Sequence, residues 1–260
     1  MTKQSVFSLL GKVSLVTGAG SGLGRVICEA LAENGSDVVC VDINKAWAGE
    51  TADVISKNSV NTLAITADVS NHEDVKHMFK KVEQRFGRID VLFNNAGLTT
   101  RAARLHEMTL EYWNKVINVD LTGVFLCMRE AIKLMLREKR GSIINISSIG
   151  GLFGMPAKSN YCTAKAGVIA LTKSAAVDYG PENIRVNAIA PGMFQGTRLG
   201  QSAGMTEEEL EKTFIMAANN TPLRRVADPS ELKGLAIYLA SDASSFVTGA
   251  TFVIDGGYTS

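Results

Sequence analysis

Cysteine is scarce in this 260-residue chain. The four present, Cys28, Cys40, Cys127 and Cys162, form no CxxC pair, and their spacings suit neither a zinc site nor a disulfide framework. Reduced, mostly buried thiols in a cytosolic protein are the expectation. Histidine is scarcer: His72, His77 and His106 make no metal-ligand cluster, so no metal is expected, and His72 and His77 fall in a polar helical stretch that reads as solvated surface. Neither sign of charge dominates. With 27 basic and 26 acidic residues the net charge is +1, which gives no general attraction to nucleic acid or to an anionic membrane and leaves room only for a local basic patch. No run of 18 apolar residues exists, so no membrane span is expected. The apolar run at residues 6–10 is too short for a signal peptide and ends at Gly11-Lys12. Linkers, low-complexity tracts and solenoid repeats are also missing.

What remains is the profile of an ordinary globule, 46% hydrophobic and 20% charged, long enough to bury a large core without staples. Short apolar runs alternate with longer helical patterns from end to end. Strands are expected at residues 13–17, 37–43, 61–66, 91–93, 142–147, 184–190 and 251–254. Helices are expected at residues 23–34, ended by Gly35, at 70–86, at 110–117, at 121–138 and at 160–179, ended by Gly180-Pro181. Ser70 and Glu73 read as a capping box, and Asp228-Pro229-Ser230-Glu231 as the opening of a last helix. This alternation implies α/β architecture: one doubly wound, Rossmann-like domain over residues 1–260, with a parallel sheet of about seven strands covered by helices on both faces. Residues 193–221 do not fit the pattern and read as a lid or binding loop with a short helix around residues 206–217.

After the first strand comes Thr17-Gly18-Ala19-Gly20-Ser21-Gly22-Leu23-Gly24. Glycines let the backbone turn sharply and approach a pyrophosphate, and the helix that follows offers free N–H groups and the positive end of its dipole. A lone glycine-rich turn is a weak signal and can be a tight structural turn; its place between a strand and a helix at the start of a βαβ unit strengthens it. The second strand ends at Asp42-Ile43, and Asp42 lies 42 − 22 = 20 residues past Gly22. An acidic side chain there accepts hydrogen bonds from adenosine ribose hydroxyls and repels a 2′-phosphate. Ser21 stands where a basic residue would meet that phosphate. Both features point to NAD rather than NADP, against a plainer reading of Asp42 as a helix N-cap.

Tyr161 and Lys165, four apart in a helical stretch, share one helix face. Tyrosine is a poor acid-base group at its reference pKa of about 10, but a neighbouring ammonium favours the phenolate. Such a pair acts as general base in alcohol oxidation and general acid in ketone reduction. Alone, the pattern is equally that of an exposed helix pair.

The glycine loop, the run Asn94-Asn95-Ala96-Gly97, Asn118, Ser148, Tyr161-x-x-x-Lys165 and Pro191-Gly192 occur together and in order, and as a set they resemble the short-chain dehydrogenase/reductase family. The resemblance runs from Leu10-Gly11-Lys12 to Asp255-Gly256-Gly257. It implies that Tyr161 is the acid-base residue and that Lys165 holds the nicotinamide ribose and tunes Tyr161. It implies that Ser148, rather than Ser147, hydrogen-bonds the substrate oxygen, and that Asn118 holds a water behind Lys165. A helix-kink or capping role is the other reading of Asn118. Asp68-Val69 would flank the adenine, Asn94, Ala96 and Gly97 would line the ribose side, and Pro191-Gly192-Met193 would reach the carboxamide through backbone groups. The family's threonine falls at position 196, which is Gly here, so Thr197 is the candidate for that contact. The resemblance also implies a homo-oligomer, tetramer or dimer.

Substrate choice lies in the loops around the cleft. Arg101 and Arg104 are placed to meet a carboxylate or the hydroxyls of a sugar acid, or are simply solvated. The segment resembles members that act on sugars, polyols or sugar acids. A second reading is reduction of 3-oxoacyl chains on an acidic carrier protein, docked on Lys133, Arg137, Lys139 and Arg140. A third is a non-catalytic dinucleotide sensor, which would predict the loss of Asn118, Ser148, Tyr161 or Lys165; all four are present.

Overall fold

The computed structural model describes residues 5–260, so the first four residues of the expected domain lie outside the description. Seven strands form one sheet: β1 (Val13–Thr17), β2 (Asp37–Asp42), β3 (Thr62–Thr66), β4 (Val91–Asn94), β5 (Gly141–Ile146), β6 (Ile184–Pro191) and β7 (Thr251–Ile254). Their order is β3-β2-β1-β4-β5-β6-β7, and every neighbouring pair is parallel. The expected strands are all present, with ends shifted by a residue or so.

The central strands carry apolar side chains on both faces because helices cover both faces. On one face Leu15, Val39, Val41, Leu92 and Ile143 pack against the helices α3 (His72–Phe86), α5 (Gly123–Glu138) and α6 (Ser159–Tyr179). On the other, Val16, Val38, Phe93 and Ile144 meet α1 (Gly22–Glu33), α2 (Lys45–Ile55) and α9 (Lys233–Ala240). Each such fully buried large side chain contributes about 1.5–3 kcal/mol over the exposed state.

The helix α4 (Leu110–Ile117) runs through a π turn at Asn118–Thr122 into α5. The segment set aside as a lid holds α7 (Leu199–Ser202) and α8 (Glu207–Asn220). Thr206 caps α8 in a reciprocal box with Glu209. The box expected at Ser70 forms differently: Asn71 caps α3 through the Glu73 and Asp74 N–H groups, because the Ser70 hydroxyl is drawn to Asp68 at 2.7 Å. Asp228 and Glu231 do form their box, around a short 3₁₀ turn that leads into α9. The helix α2 was not foreseen; Asn44, not Asp42, is its N-cap.

Strand order reverses direction between β1 and β4, and ligands of such sheets bind outside the strand carboxyl ends at that point. A cleft of about 410 Å³ opens there.

Candidate active site

The cleft is walled by the β1–α1 loop, the ends of β2, β4, β5 and β6, the start of α6, and the segment 193–202. Gly18, Ser21, Gly22 and Leu23 line it at the loop. At this end Ser21 precedes α1 without a side-chain cap, and no acidic residue occupies the first turn of the helix. The positive end of α1 is thus left unclaimed by the protein, as an anion site requires.

Asp42 sits at the end of β2, mostly buried. Its Oδ2 accepts the Gly20 N–H at 2.9 Å and its Oδ1 accepts the Asn44 N–H at 2.9 Å. Two backbone donors therefore fix the carboxylate at the cleft beside Ile43. Trp47 and Arg198, which the sequence reading did not single out, flank this corner, the Arg198 guanidinium lying 3.6 Å above the Trp47 ring. These elements fit the adenosine and pyrophosphate portions of a dinucleotide. Asp68 and Val69 lie on the same wall, Asp68 held by the Ser70 N–H at 2.8 Å.

Two expected cofactor residues are placed elsewhere. Gly24 lies behind the loop: a Cβ there would fall 2.0 Å from the Gly18 carbonyl oxygen, so its role is to let α1 close on β1. Gly24→Ala must push the loop aside. We expect a loss of about 1–3 kcal/mol in stability, with weakened NADH binding, read by thermal melting and by NADH fluorescence. Asn94 is buried inside the sheet layer, its Nδ2 donating to Asn145 Oδ1 at 2.8 Å. The next residue takes the cleft position. Asn95 Nδ2 donates to the Thr17 and Gly18 carbonyls at 2.9 and 3.2 Å and ties the end of β4 to the glycine loop. Ala96 and Gly97 line the cleft beside it.

At the other end, Ser148, Tyr161 and Lys165 meet, all largely buried. Ser148 caps a short turn, its Oγ accepting the Gly150 N–H at 3.1 Å, which leaves its proton free to point into the cleft. Ser147 turns away and donates to the Lys165 carbonyl at 2.8 Å. Of the two adjacent serines, Ser148 is thus the one that faces Tyr161. The Lys165 Nζ donates to the Ile146 carbonyl at 3.1 Å and sits 5.7 Å from the centre of the Tyr161 ring. Burial pushes the Tyr161 phenol above its ordinary pKa; the Lys165 ammonium and a hydrogen bond from Ser148 pull it back without prevailing, and Asp120 pushes it up further. The net direction is thus upward, the reverse of the lowering expected from the neighbouring ammonium, because burial outweighs it. For Lys165, burial works against the charge, but Asp120 and Tyr161 outweigh it and hold the ammonium above its ordinary value.

Asn118 is not behind Lys165. It lies exposed at the start of the π turn, and Asp120 takes the place expected of it, fully buried with Oδ2 3.1 Å from Lys165 Nζ.

Pro191, Gly192 and Met193 line the cleft. The Gly192 N–H is engaged by the Ile254 carbonyl at 2.9 Å, and the Met193 carbonyl accepts the Ala227 N–H at 3.0 Å, so those two groups anchor the segment rather than a ligand. Gly196 adopts a left-handed conformation (φ 66°) and swings Thr197 over the glycine loop, where the Thr197 Cα lies 3.3 Å from the position of a Cβ on Gly22. Arg101 and Arg104 are exposed and outside the cleft wall. Ser202 of α7 accepts the Thr99 N–H at 3.1 Å, while Lys158 Nζ donates to the Thr100 carbonyl at 2.6 Å.

No group of three metal-ligating side chains occurs among the described residues, and no helix among them is long and apolar enough to cross a membrane.

The family model described as "Enoyl-(Acyl carrier protein) reductase" matches residues 18–259. The 3-oxoacyl-[acyl-carrier-protein] reductase FabG of Thermotoga maritima is 41% identical over 253 residues, 96% of this chain and 98% of that protein. The cis-4-hydroxycyclohexanecarboxylate dehydrogenase of Sinomonas cyclohexanicum is also 41% identical, over 95% of this chain and 96% of its own length. Among solved structures, a short-chain type dehydrogenase/reductase from Mycobacterium marinum superposes with a TM-score of 0.91 at 36% identity, covering 98% of this chain and 99% of that one. An NAD⁺-bound xylitol dehydrogenase gives 0.89 at 32%, covering 96% and 99%. A gluconate 5-dehydrogenase from Burkholderia cenocepacia, in complex with NADP and tartrate, gives 0.89 at 34%, covering 97% of each. The chain belongs to the short-chain dehydrogenase/reductase family and is an oxidoreductase of that type, built to bind a nicotinamide dinucleotide.

Proposed function

We propose that this enzyme uses NAD(H) to interconvert a secondary alcohol and a ketone, with Tyr161 as the acid-base residue. The observation that carries the reading is the meeting of Ser148, Tyr161 and Lys165 at one end of a cleft whose other end presents the fixed Asp42 carboxylate. The bound dinucleotide supplies the hydride acceptor in oxidation and the donor in reduction. Ser148 donates to the substrate oxygen and orients it toward Tyr161. The phenolate takes the hydroxyl proton during oxidation, and the phenol returns it during reduction. Lys165, charged and buried, favours the phenolate and offers N–H groups to the ribose beside it. Asp42 accepts hydrogen bonds from the adenosine ribose and disfavours a 2′-phosphate there.

The upward displacement of the Tyr161 phenol fixes a pH dependence. Oxidation needs the phenolate, so its rate is expected to climb as pH rises into the alkaline range. Reduction needs the phenol, so its rate is expected to hold through neutral pH and fall only when Tyr161 deprotonates. Steady-state kcat profiles in both directions check this; an oxidation rate flat from neutral to alkaline pH contradicts it.

For the substrate we favour a polyol, sugar or sugar acid. The names of the xylitol, gluconate and hydroxycyclohexanecarboxylate dehydrogenases support that class, each an alcohol on a hydroxylated or carboxylated carbon frame. The 3-oxoacyl reductase relatives favour a second reading, reduction of 3-oxoacyl thioesters. Its basic docking patch is weakened by internal pairing: Arg137 contacts Glu83, Lys133 lies 2.8 Å from Glu130, and Arg140 lies 3.2 Å from Asp90. Incubation with NAD⁺ or NADP⁺ and a panel of polyols, sugar acids, cyclic alcohols and 3-hydroxyacyl thioesters, followed by absorbance of the reduced cofactor, decides among them. Turnover confined to thioesters sinks the polyol reading, and firm NADH binding without turnover of any of them favours a sensor. We also propose that the enzyme is a soluble homo-oligomer, dimer or tetramer, acting in the cytoplasm. The exposed Phe125, Val177 and Phe246 are the apolar surface such an assembly would cover, and light scattering on the purified protein tests its mass.

A further inference from the structure

The π turn at Asn118–Thr122 carries one residue more per turn than the α-helices it joins, and it rotates Asp120 inward while Asn118 stays outside. Asp120 has no exposed surface. Its Oδ1 accepts the Leu98 N–H at 2.9 Å. Its Oδ2 lies 3.1 Å from Lys165 Nζ, so the two groups meet as a buried ion pair. The backbone of Gly97 closes over the pair: a Cβ there would lie 3.0 Å from Asp120 Oδ2 and 3.3 Å from Lys165 Nζ.

An amide in place of the carboxylate would still accept the Leu98 N–H. The negative charge is what an amide would lack, and placing it in a dry site is costly unless it is paired. Burial pushes the Asp120 carboxyl up, with the Lys165 ammonium and the Leu98 N–H pulling it down. The two partners' shifts point in opposite senses, since a raised carboxyl disfavours the ion pair and a raised ammonium favours it. The ionised pair is the form that accounts for both the charge contact and the retained ammonium. The ionisable groups acting on Tyr161 are Lys165, Asp120 and Cys162, and those acting on Lys165 are Asp120 and Tyr161.

We propose that Asp120 is a positioning residue for the reaction: its carboxylate fixes the Lys165 ammonium under Tyr161 and cancels part of that ammonium's field at the phenol, so that it sets the pH range in which the enzyme works. A lone ammonium in this pocket would draw Tyr161 toward the phenolate at much lower pH. With the counter-ion behind it, Tyr161 stays a phenol through neutral pH, which suits it to give a proton to a ketone.

The test is Asp120→Asn, with Asp120→Glu as the charge-retaining control. Tyr161 is titrated through its phenolate absorbance in pH jumps, read before alkaline unfolding and against the same proteins carrying Tyr161→Phe. The expected result is a midpoint lower by about one pH unit or more in Asp120→Asn, with Asp120→Glu close to the wild type. The acid limb of kcat for alcohol oxidation should move with it, which raises the rate about fivefold at one pH unit below the wild-type midpoint for a shift of that size. Should Asp120→Asn not fold, Asp120→Ser removes the same charge with less bulk. The kinetic arm rests on the reading of Tyr161 as acid-base residue, while the absorbance arm needs no substrate. Wild-type turnover with an unmoved midpoint overturns the role of Asp120 and leaves that reading standing. A midpoint that moves in a protein with no turnover overturns that reading and supports the role of Asp120.

Discussion

Tyr161→Phe is expected to lower kcat by about a hundredfold to ten-thousandfold while NADH binding changes no more than a few-fold. The ring is held by packing: Tyr161 is 8% exposed and clusters with Val116 and Ala164, and phenylalanine keeps that shape. The hydroxyl's neighbours lose little, since Ser148 keeps the Gly150 N–H and Lys165 keeps Asp120 and the Ile146 carbonyl. Only the proton's carrier is gone. A thousandfold loss corresponds to about 4 kcal/mol of transition-state free energy, which is within reach of a single positioned acid-base group. Single-turnover hydride transfer in the variant separates this from slow product release. A variant that retains a tenth or more of the wild-type kcat would remove Tyr161 from the chemistry.

Asp42→Asn should erase most of the discrimination between the two dinucleotides. In the wild type the carboxylate is fixed by the Gly20 and Asn44 N–H groups and cannot swing away from an incoming phosphate. Like charges forced together at such a site cost several kcal/mol, so removing one should raise relative NADP⁺ efficiency about tenfold to a hundredfold or more. The amide also loses one of two acceptors, so NAD⁺ binding should weaken by about 1 kcal/mol. The ratio of kcat/KM for NAD⁺ and NADP⁺, measured on both proteins, decides. A wild type that prefers NADP⁺ would shift attention to Arg198, whose guanidinium covers Trp47 at the same corner.

The sheet was legible because parallel strands buried on both faces read as continuous apolar runs, as in Val38 to Val41. The glycine loop and Tyr161-x-x-x-Lys165 were legible because their spacing is local to one turn or one helix. The helix α2 was missed for lack of a clear apolar stripe: Lys45, Gly49, Glu50 and Asp53 interrupt it, and four of its side chains are buried. Asn94 and Asn95 were hard to apportion because the last residue of β4 still obeys strand alternation, which turns Asn94 into the sheet and leaves Asn95 to the cleft. Asn118 was misplaced for a different reason. Its role came from the family resemblance and not from any local pattern, and the π turn brings Asp120, two residues further on, beside Lys165 instead. Trp47 and Arg198 stand 198 − 47 = 151 positions apart in the sequence, so no local pattern announces their contact.

The strand order also has a consequence for how the chain acquires its shape. Ser14 pairs with Val38 on one side and with Val91 on the other, so the central strand waits for partners 24 and 77 residues away (38 − 14 and 91 − 14). Non-local parallel pairing of this kind makes folding slow, because loop closure must precede the contacts that reward it. The Asn95 bonds that brace the glycine loop come from the far side of that longer gap. The phosphate cradle is therefore braced only in a chain whose fourth strand has docked beside the first, and ligand that binds the braced form draws the population toward it by mass action.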